Sequence, residues 1–131
     1  MLNANNMDYY LEVLKKYAVF SGRARRKEYW LFFFFNFLAG LTFGFFGGVI
    51  GAALKTDVFF MAGVLFELYT LAVEIPVLAV SVRRLHDTGR SGWWLLINFL
   101  PVIGWIIFLV FVLQDSQKGA NKYGPNPKAS D

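Results

Sequence analysis

The stretch WLFFFFNFLAGLTFGFFGGVIGAAL, residues 30–54, runs for 25 residues without a charged side chain. At about 1.5 Å per residue, a helix of this length is roughly 37 Å long, which exceeds the ~30 Å hydrocarbon core of a bilayer. Because lipid offers no hydrogen bonds, the backbone amides of such a stretch must bond to one another. The stretch therefore predicts a helix that spans a membrane.

Two more apolar runs follow the first. Residues 58–82 are interrupted by only two glutamates, and residues 93–113 carry no charge. We therefore predict an all-α integral membrane protein in which each of the three runs is one transmembrane helix. For the third run the alternative is a re-entrant hairpin folded at residues 101–104, whose apex would have to be buried by protein.

The composition agrees with a single membrane domain. Of the 131 residues, 56% are hydrophobic and 17% are charged, against roughly 45–50% and 25% in soluble domains. The absence of cysteine and the single histidine exclude disulfides, thiolate sites and multi-histidine metal centres, so we expect no metal and no cofactor. The basic residues flank the apolar runs and form no separate domain, so nucleic acid is not an expected partner.

The two ends of the chain differ from the runs between them. Residues 7–20 repeat apolar side chains at intervals of three and four, which predicts an amphipathic helix lying in the headgroup plane. The alternative is a short cytosolic helix packed on the loops. Residues 114–131 are rich in glycine and proline and predict a turn-rich tail.

The basic residues also indicate the orientation. With three crossings, nine of the thirteen lie on one side, which the positive-inside rule makes cytoplasmic. The N-terminus is then cytoplasmic in a multi-pass protein. With a re-entrant third run, the three lysines of the tail join them, and the division becomes twelve to one. The nine residues are Lys15, Lys16, Arg23, Arg25, Arg26, Lys27, Arg83, Arg84 and Arg90.

Three motifs surround the apolar runs: FSGRARRKEYW at residues 20–30, RRLHDTGRSGWW at 83–94 and GANKYGPNP at 119–127. In this order they resemble the bacterial inner-membrane family called domain of unknown function 805. The resemblance implies a small protein of the bacterial inner (plasma) membrane whose activity is unknown. It also implies that the tail folds back as a cap over the helix ends.

The basic and aromatic residues of these motifs predict a collar at headgroup depth. Arginine binds phosphate bidentately and tryptophan anchors at the same level, so the collar is a candidate site for anionic lipid headgroups or another phosphate ligand. The alternative is that these residues are ordinary topology signals and interfacial anchors. Glu28 and Asp87 could orient neighbouring arginines. The candidates are Arg23, Arg26, Arg83, Arg84, His86, Arg90, Trp93 and Trp94.

The second run contains an unusual polar set, Glu67, Thr70 and Glu74. The two glutamates are seven residues apart, which places them on one face of a continuous helix, and carboxylates inside a membrane suggest a polar pathway or a partner. They predict proton or cation handling, or pairing with another subunit. The alternative is that both are protonated and hydrogen-bonded between helices. Pro76 removes one backbone hydrogen bond, so we expect a kink there.

The first run contains small residues at every fourth position, namely Gly40, Gly44, Gly48 and Ala52. Such a stripe lets a second helix approach closely. The second helix could belong to the same chain or to another copy in a homo-oligomer, and the sequence leaves both open.

Three functions follow from these features. The first is a non-enzymatic module that binds lipid headgroups or another membrane protein through the collar. The second is a small transporter or channel subunit that uses Glu67 and Glu74. The third is a lipid-modifying enzyme with His86 as base and Asp87 as its orienting acid. That third reading lacks a positioned nucleophile, since Thr88 and Ser91 are better explained as turn and helix cap.

Overall fold

The computed structural model describes residues 6–130, and within that range the regular structure is helical. A lone antiparallel bridge joins Asn121 and Gly124 in the tail. The all-α prediction is confirmed for the described residues. The helices are α1 (Asn6–Lys15), α2 (Arg26–Ala53), α3 (Val58–Ala72), α4 (Glu74–Asp87) and α5 (Ile103–Leu113), with 3₁₀ helices η1 (Gly92–Phe99) and η2 (Pro127–Ser130).

The helix α2 corresponds to the first apolar run and begins at Arg26, four residues before the predicted start at residue 30. The polar turn after it ends at Asp57, whose carboxylate accepts a hydrogen bond from the amide of Phe60 at 2.9 Å and caps α3. Among the described helices, α2 alone is long and apolar enough to cross a membrane by itself. A second span results if α3 and α4 are taken together.

Glycines of α2 form the contact with α3. A Cβ at Gly47 would overlap the carbonyl oxygen of Met61, and one at Gly51 would lie 3.0 Å from the Met61 side chain. A Cβ at Gly40 would lie 2.9 Å from the ring of Phe66. The small-residue stripe therefore packs within the chain. Its register differs from the predicted one: Gly44 and Gly48 make looser contacts, and Ala52 is exposed.

The second apolar run is bent, as predicted from its proline. The axes of α3 and α4 diverge by 48° at Val73. Because Pro76 has no N–H, the carbonyl of Ala72 loses its helical partner, and the hydroxyl of Tyr17 donates to it at 2.6 Å. The bend is therefore held by a side chain from the segment that follows α1.

The helix α1 packs on this same region. Val13 is completely buried, and the ring of Tyr10 stacks on Phe32 at 5.6 Å between centroids. The hydroxyls of Tyr10 and Tyr69 lie 3.0 Å apart. The helix ends at Lys15, so the prediction of a helix over residues 7–20 is too long. It packs mainly on α2 and also contacts α4. Its position in the headgroup plane stays a prediction.

The third apolar run is not one helix, so the prediction of a transmembrane helix over residues 93–113 is wrong. It divides into η1 and α5, which are joined at Val102 (φ 66°, ψ −64°) by a hydrogen bond of 2.8 Å from the amide of Ile103 to the carbonyl of Pro101. These dihedral angles and the i→i+2 bond define a γ-turn. This turn reverses the chain and satisfies two backbone groups that lipid could not.

The two arms of this run pack against each other in opposite directions. A Cβ at Gly104 would overlap the carbonyl oxygen of Ile97, beside the turn. At the far end, Trp94 meets Phe111 edge to face, with 5.5 Å between ring centroids. Arg90 Nη1 donates to Gln114 Oε1 at 2.7 Å, so the run begins and ends at one place. The third apolar run is therefore a closed hairpin.

Candidate functional site

The carboxylate of Asp87 is the centre of the polar end of the molecule. Asp87 ends α4 and is completely buried. Arg23 Nε donates to Oδ1 at 2.8 Å, and Arg84 Nη1 donates to Oδ2 at 2.7 Å. The hydroxyl of Ser116 donates to Oδ2 as well. The spacing of Arg84 and Asp87 by three residues places both side chains on one turn of α4. We call this network the Asp87 cap.

Arg23 attaches the tail to this cap. Its guanidinium donates to the carbonyl oxygens of Gln117 at 2.6 Å, Gly119 at 2.8 Å and Gly124 at 3.2 Å. The amide of Gln117 donates in return to the carbonyl of Asp87 at 2.8 Å. The tail thus folds over the end of α4, which confirms the folded-back cap that the family resemblance implied.

Arg84 connects two other segments to the cap: the hairpin of η1 and α5, which we call the short hairpin, and the segment that precedes α2. Besides Asp87, it donates to the carbonyl oxygens of Val112 at 3.1 Å, Ala24 at 3.2 Å and Gln114. The last residues of α5 are therefore fixed beside the segment that precedes α2. The hydrogen-bond donors of this buried guanidinium are used inside the chain.

Arg83 forms a second buried pair next to the Asp87 cap. Its Nη1 donates to Glu28 Oε2 at 2.6 Å, and its Nε donates to the carbonyl of Val19 at 3.1 Å. Among the described residues, Nη2 of Arg83 is a buried nitrogen without a hydrogen-bond partner. Glu28 and Asp87 thus orient the arginines, as expected from the sequence.

His86 stacks on the tail and does not form a pair with Asp87. Its ring is parallel to that of Tyr123, with 3.9 Å between centroids, and its Nδ1 lies 2.9 Å from the carbonyl oxygen of Gly22. Asn121 donates to the carbonyl of His86 at 3.0 Å. The carboxylate of Asp87 faces arginines instead, so the predicted base and orienting acid are not brought together.

These contacts correct the prediction that all the arginines of the collar lie at the surface. Arg23, Arg83 and Arg84 are 7%, 1% and 0% exposed, so they do not present their guanidinium groups to a phosphate ligand. The physical reason is that Asp87, Glu28 and the backbone carbonyls of the tail already surround them. Burying a charge is tolerated when it is paired and hydrogen-bonded in this way.

The rest of the collar remains at the surface. Arg26 is half exposed, with Nη2 3.5 Å from Asp115 Oδ1, and Arg90 lies over the ring of Phe111 at 3.9 Å. Trp93 and Trp94 are 79% and 47% exposed. The collar therefore divides into residues at the surface and buried arginines that are each paired with a carboxylate.

Asp115 and Lys128 lie on the outside of the cap. Lys128 Nζ is 3.0 Å from Asp115 Oδ1. That hydrogen bond, followed by one from the amide of Ser116, lowers the pKa of the Asp115 carboxyl below its ordinary value. The pair joins the end of the short hairpin to the end of the tail on a solvated surface.

The polar residues of the second run lie on two helices and not on one continuous helix. Glu67 and Thr70 belong to α3 and Glu74 to α4, and the 48° bend separates the two glutamates. Both glutamates lie on the outer surface of the described chain. The hydroxyl of Thr70 donates to the carbonyl of Phe66 within its own helix at 3.0 Å. Within residues 6–130, histidine, aspartate and glutamate form no group of three that could hold a metal ion.

Comparisons with known proteins agree with the motifs. The family model "Protein of unknown function (DUF805)" matches residues 17–125. The Escherichia coli K12 inner membrane proteins YhaI and YhaH are 47% and 46% identical over 122 residues, which cover 93% of this chain and 97% and 98% of theirs. The uncharacterized E. coli protein YiiR is 31% identical over 88 residues, 67% of this chain and 52% of its own. No solved structure matches.

Proposed function

Because this chain belongs to the DUF805 family, whose activity is unknown, we propose a function from its own geometry: a non-enzymatic inner-membrane module that binds anionic lipid headgroups at its cytoplasmic end. Inner-membrane residence is supported by the relatives that bear that description. The single observation that carries the proposal is the closure of the third apolar run onto the Asp87 cap.

That closure implies a topology with two crossings. The helix α2 forms one crossing, and α3 with α4 forms the other, in the opposite direction. The short hairpin then enters and leaves the same leaflet, which brings the tail to the side of the N-terminus. Twelve of the thirteen basic residues lie on that side, and Lys55 lies on the other. The positive-inside rule makes the richer side cytoplasmic.

The exposed cations at this end support binding of anionic headgroups. Arg26 and Lys27 begin α2 and are exposed, and Trp30 follows one turn later with 38% exposure. Arg26 also donates to the carbonyl of Leu113 at 3.2 Å, which fixes its position at this surface. Each surface cation near an anionic leaflet contributes about 1 kcal/mol of attraction. Since the buried arginines are occupied, we assign lipid contact to this exposed set.

The topology is tested by single cysteines, since the natural chain has none. We expect Thr56→Cys to react with a membrane-impermeant maleimide in intact cells that have a permeabilised outer membrane. Lys122→Cys should react only in inverted vesicles. Labelling of both positions from the same side would contradict the two crossings.

The lipid preference is tested with the charge-neutralising double variant R26Q/K27Q. In nanodiscs that contain equal phosphatidylglycerol and phosphatidylethanolamine, we expect the natural chain to enrich phosphatidylglycerol in its annulus and the double variant to lose that enrichment. The matched control is K55Q on the opposite face, which should leave the enrichment unchanged. An equal loss in K55Q, or no enrichment around the natural chain, would reject the proposal.

A further inference from the structure

The 3₁₀ helix η1 has an apolar groove along one side. The groove measures about 540 Å³, and its lining is Ser91, Trp93, Trp94, Leu96, Ile97 and Leu100. A 3₁₀ helix has 3.0 residues per turn, so side chains three positions apart eclipse one another. Within η1 they form two ridges, one through Trp94 and Ile97 and the other through Trp93 and Leu96, and Leu100 follows directly after the helix. The groove between them is therefore parallel to the helix axis.

The direction of this groove is a consequence of the helix type. On an α-helix the ridges are inclined to the axis by about −26° or +45°, so a long straight ligand crosses them. On η1 a straight chain can lie between the ridges over the whole helix. The eight residues rise about 2.0 Å each, which gives roughly 16 Å, close to half of the ~30 Å hydrocarbon core. That is the thickness of one leaflet.

The ends of the groove differ in polarity. One end lies at the γ-turn, where Leu100 and Val102 are more than half exposed and carry no charge. The other end lies at Ser91, next to Arg90 and the polar end of the molecule. The guanidinium of Arg90 lies on Phe111, and Phe111 in turn contacts Trp94 in the groove wall. An open apolar groove with an arginine beside one end fits an acyl chain and an anionic phosphate.

We propose that this groove binds one anionic phospholipid of the cytoplasmic leaflet, with one acyl chain between the two ridges and the phosphate on Arg90. The site lies on the short hairpin and is separate from Arg26 and Lys27. The assignment of this site to the cytoplasmic leaflet rests on the proposed function, to which the site adds a defined position for one ligand. A volume near 540 Å³ lies within the usual range of roughly 300–1,000 Å³ for ligand sites.

The experiment uses native mass spectrometry of the full chain in detergent, with phosphatidylglycerol and phosphatidylethanolamine of identical acyl chains as probes. We expect the natural chain to retain one phosphatidylglycerol per copy. Leu96→Trp fills the groove from an exposed position, and this variant should lose the retained lipid. Arg90→Gln should weaken phosphatidylglycerol about tenfold, the effect of one lost charge-assisted hydrogen bond. It should weaken phosphatidylethanolamine less, because the ammonium of that headgroup already offsets the charge of its phosphate.

The matched control is Leu109→Trp, an equally exposed leucine on α5 outside the groove, and it should retain lipid like the natural chain. Retention by Leu96→Trp at the natural level, with an unchanged melting temperature, would overturn the groove proposal. If that variant retains lipid while R26Q/K27Q abolishes the nanodisc enrichment, only the groove proposal fails. If the enrichment is absent while retention depends on Leu96, only the proposed function fails.

Discussion

The molecule contains two apolar hairpins that differ in how they end. The hairpin of α2 and α3 is long, and its turn is polar, with Lys55 and Asp57 between the helices. The hairpin of η1 and α5 is short, and it reverses at an uncharged γ-turn on Val102. Both are packed through glycines at van der Waals distance. The length of an apolar run therefore does not by itself determine whether the run crosses a membrane.

Attachment of the ends makes the difference between the hairpins. The turn of the long hairpin is held by its own backbone, because the amide of Thr56 donates to the carbonyl of Gly51 at 2.9 Å. The short one has both ends tied to the cap, through Arg90 on Gln114 and Arg84 on the last turn of α5. Because both ends are fixed at one place, the short hairpin ends where it begins.

The largest expected effect is on this attachment. Asp87→Asn keeps the shape of the side chain but leaves Arg23 and Arg84 buried without their counter-charge. Breaking a buried pair in this way costs about 3–5 kcal/mol, so we expect most of the folding free energy to be lost. The measurement is thermal unfolding of the purified chain in detergent. The control is Asp115→Asn, whose carboxylate is half exposed and whose loss should shift the melting temperature little.

The next effect compares the glycines of the two hairpins. Gly104→Ala in the short hairpin and Gly47→Ala in the long one would each place a Cβ on a backbone carbonyl. We expect each to destabilise by about 1–3 kcal/mol through overpacking. Gly63→Ala is the control, because nothing lies within 4 Å of its Cβ position. Equal melting temperatures of all three variants would show that neither hairpin depends on this close packing.

A smaller effect compares the two turns. Val102 and Lys55 both have positive φ, at 66° and 56°, and a left-handed backbone costs an L-residue about 1–2 kcal/mol. Replacing either with glycine should therefore stabilise the chain. We expect Val102→Gly to raise the melting temperature more than Lys55→Gly, because valine is β-branched. A lower melting temperature for Val102→Gly would contradict the strained turn.

The smallest effect is the pH dependence of the surface pair at the end of the short hairpin. Lys128 lowers the pKa of Asp115 in the folded chain. The carboxylate therefore stabilises the fold above its ordinary pKa, and that contribution is lost as the pH falls through the lowered value. We expect the natural chain to melt slightly above Asp115→Asn at pH 6. This difference in melting temperature should disappear in strong acid. A difference that grows as the pH falls would contradict a lowered pKa of Asp115.

The long hairpin could be predicted from sequence because its signals are local. Charge-free residues define α2, and Pro76 defines the bend. A stripe of small residues on α2 was predicted, but the glycines in closest contact are partly different ones. Spacing alone does not say which side of α2 faces α3. The short hairpin could not be predicted in the same way. Pro101 and the charge distribution indicated a re-entrant hairpin as the alternative. The contacts that close this hairpin involve Arg84, which lies outside the run.

The buried arginines show the same limit. The sequence places Arg83, Arg84 and Asp87 together, yet whether they face solvent depends on what covers them. The cover includes the backbone carbonyls of Val19 and Ala24 and those of residues 112–124, and a carbonyl has no residue-specific signature. The stacking of Tyr123 on His86 was likewise missed, since a single tyrosine in a tail gives no signal of its partner.

The contacts of Arg23 have a consequence for the order of assembly during synthesis. Its carbonyl partners at Gln117, Gly119 and Gly124 follow it by 94 to 101 residues along the chain. At about 5–20 residues per second, a ribosome takes roughly 5–20 s to make that interval. Throughout this time Arg23 lacks its acceptors from the tail, whereas the acceptors of Arg84 on Val112 and Gln114 follow it by only 28 and 30 residues. The contacts of Arg23 therefore form last, and a chain that stalls before Gln117 lacks them.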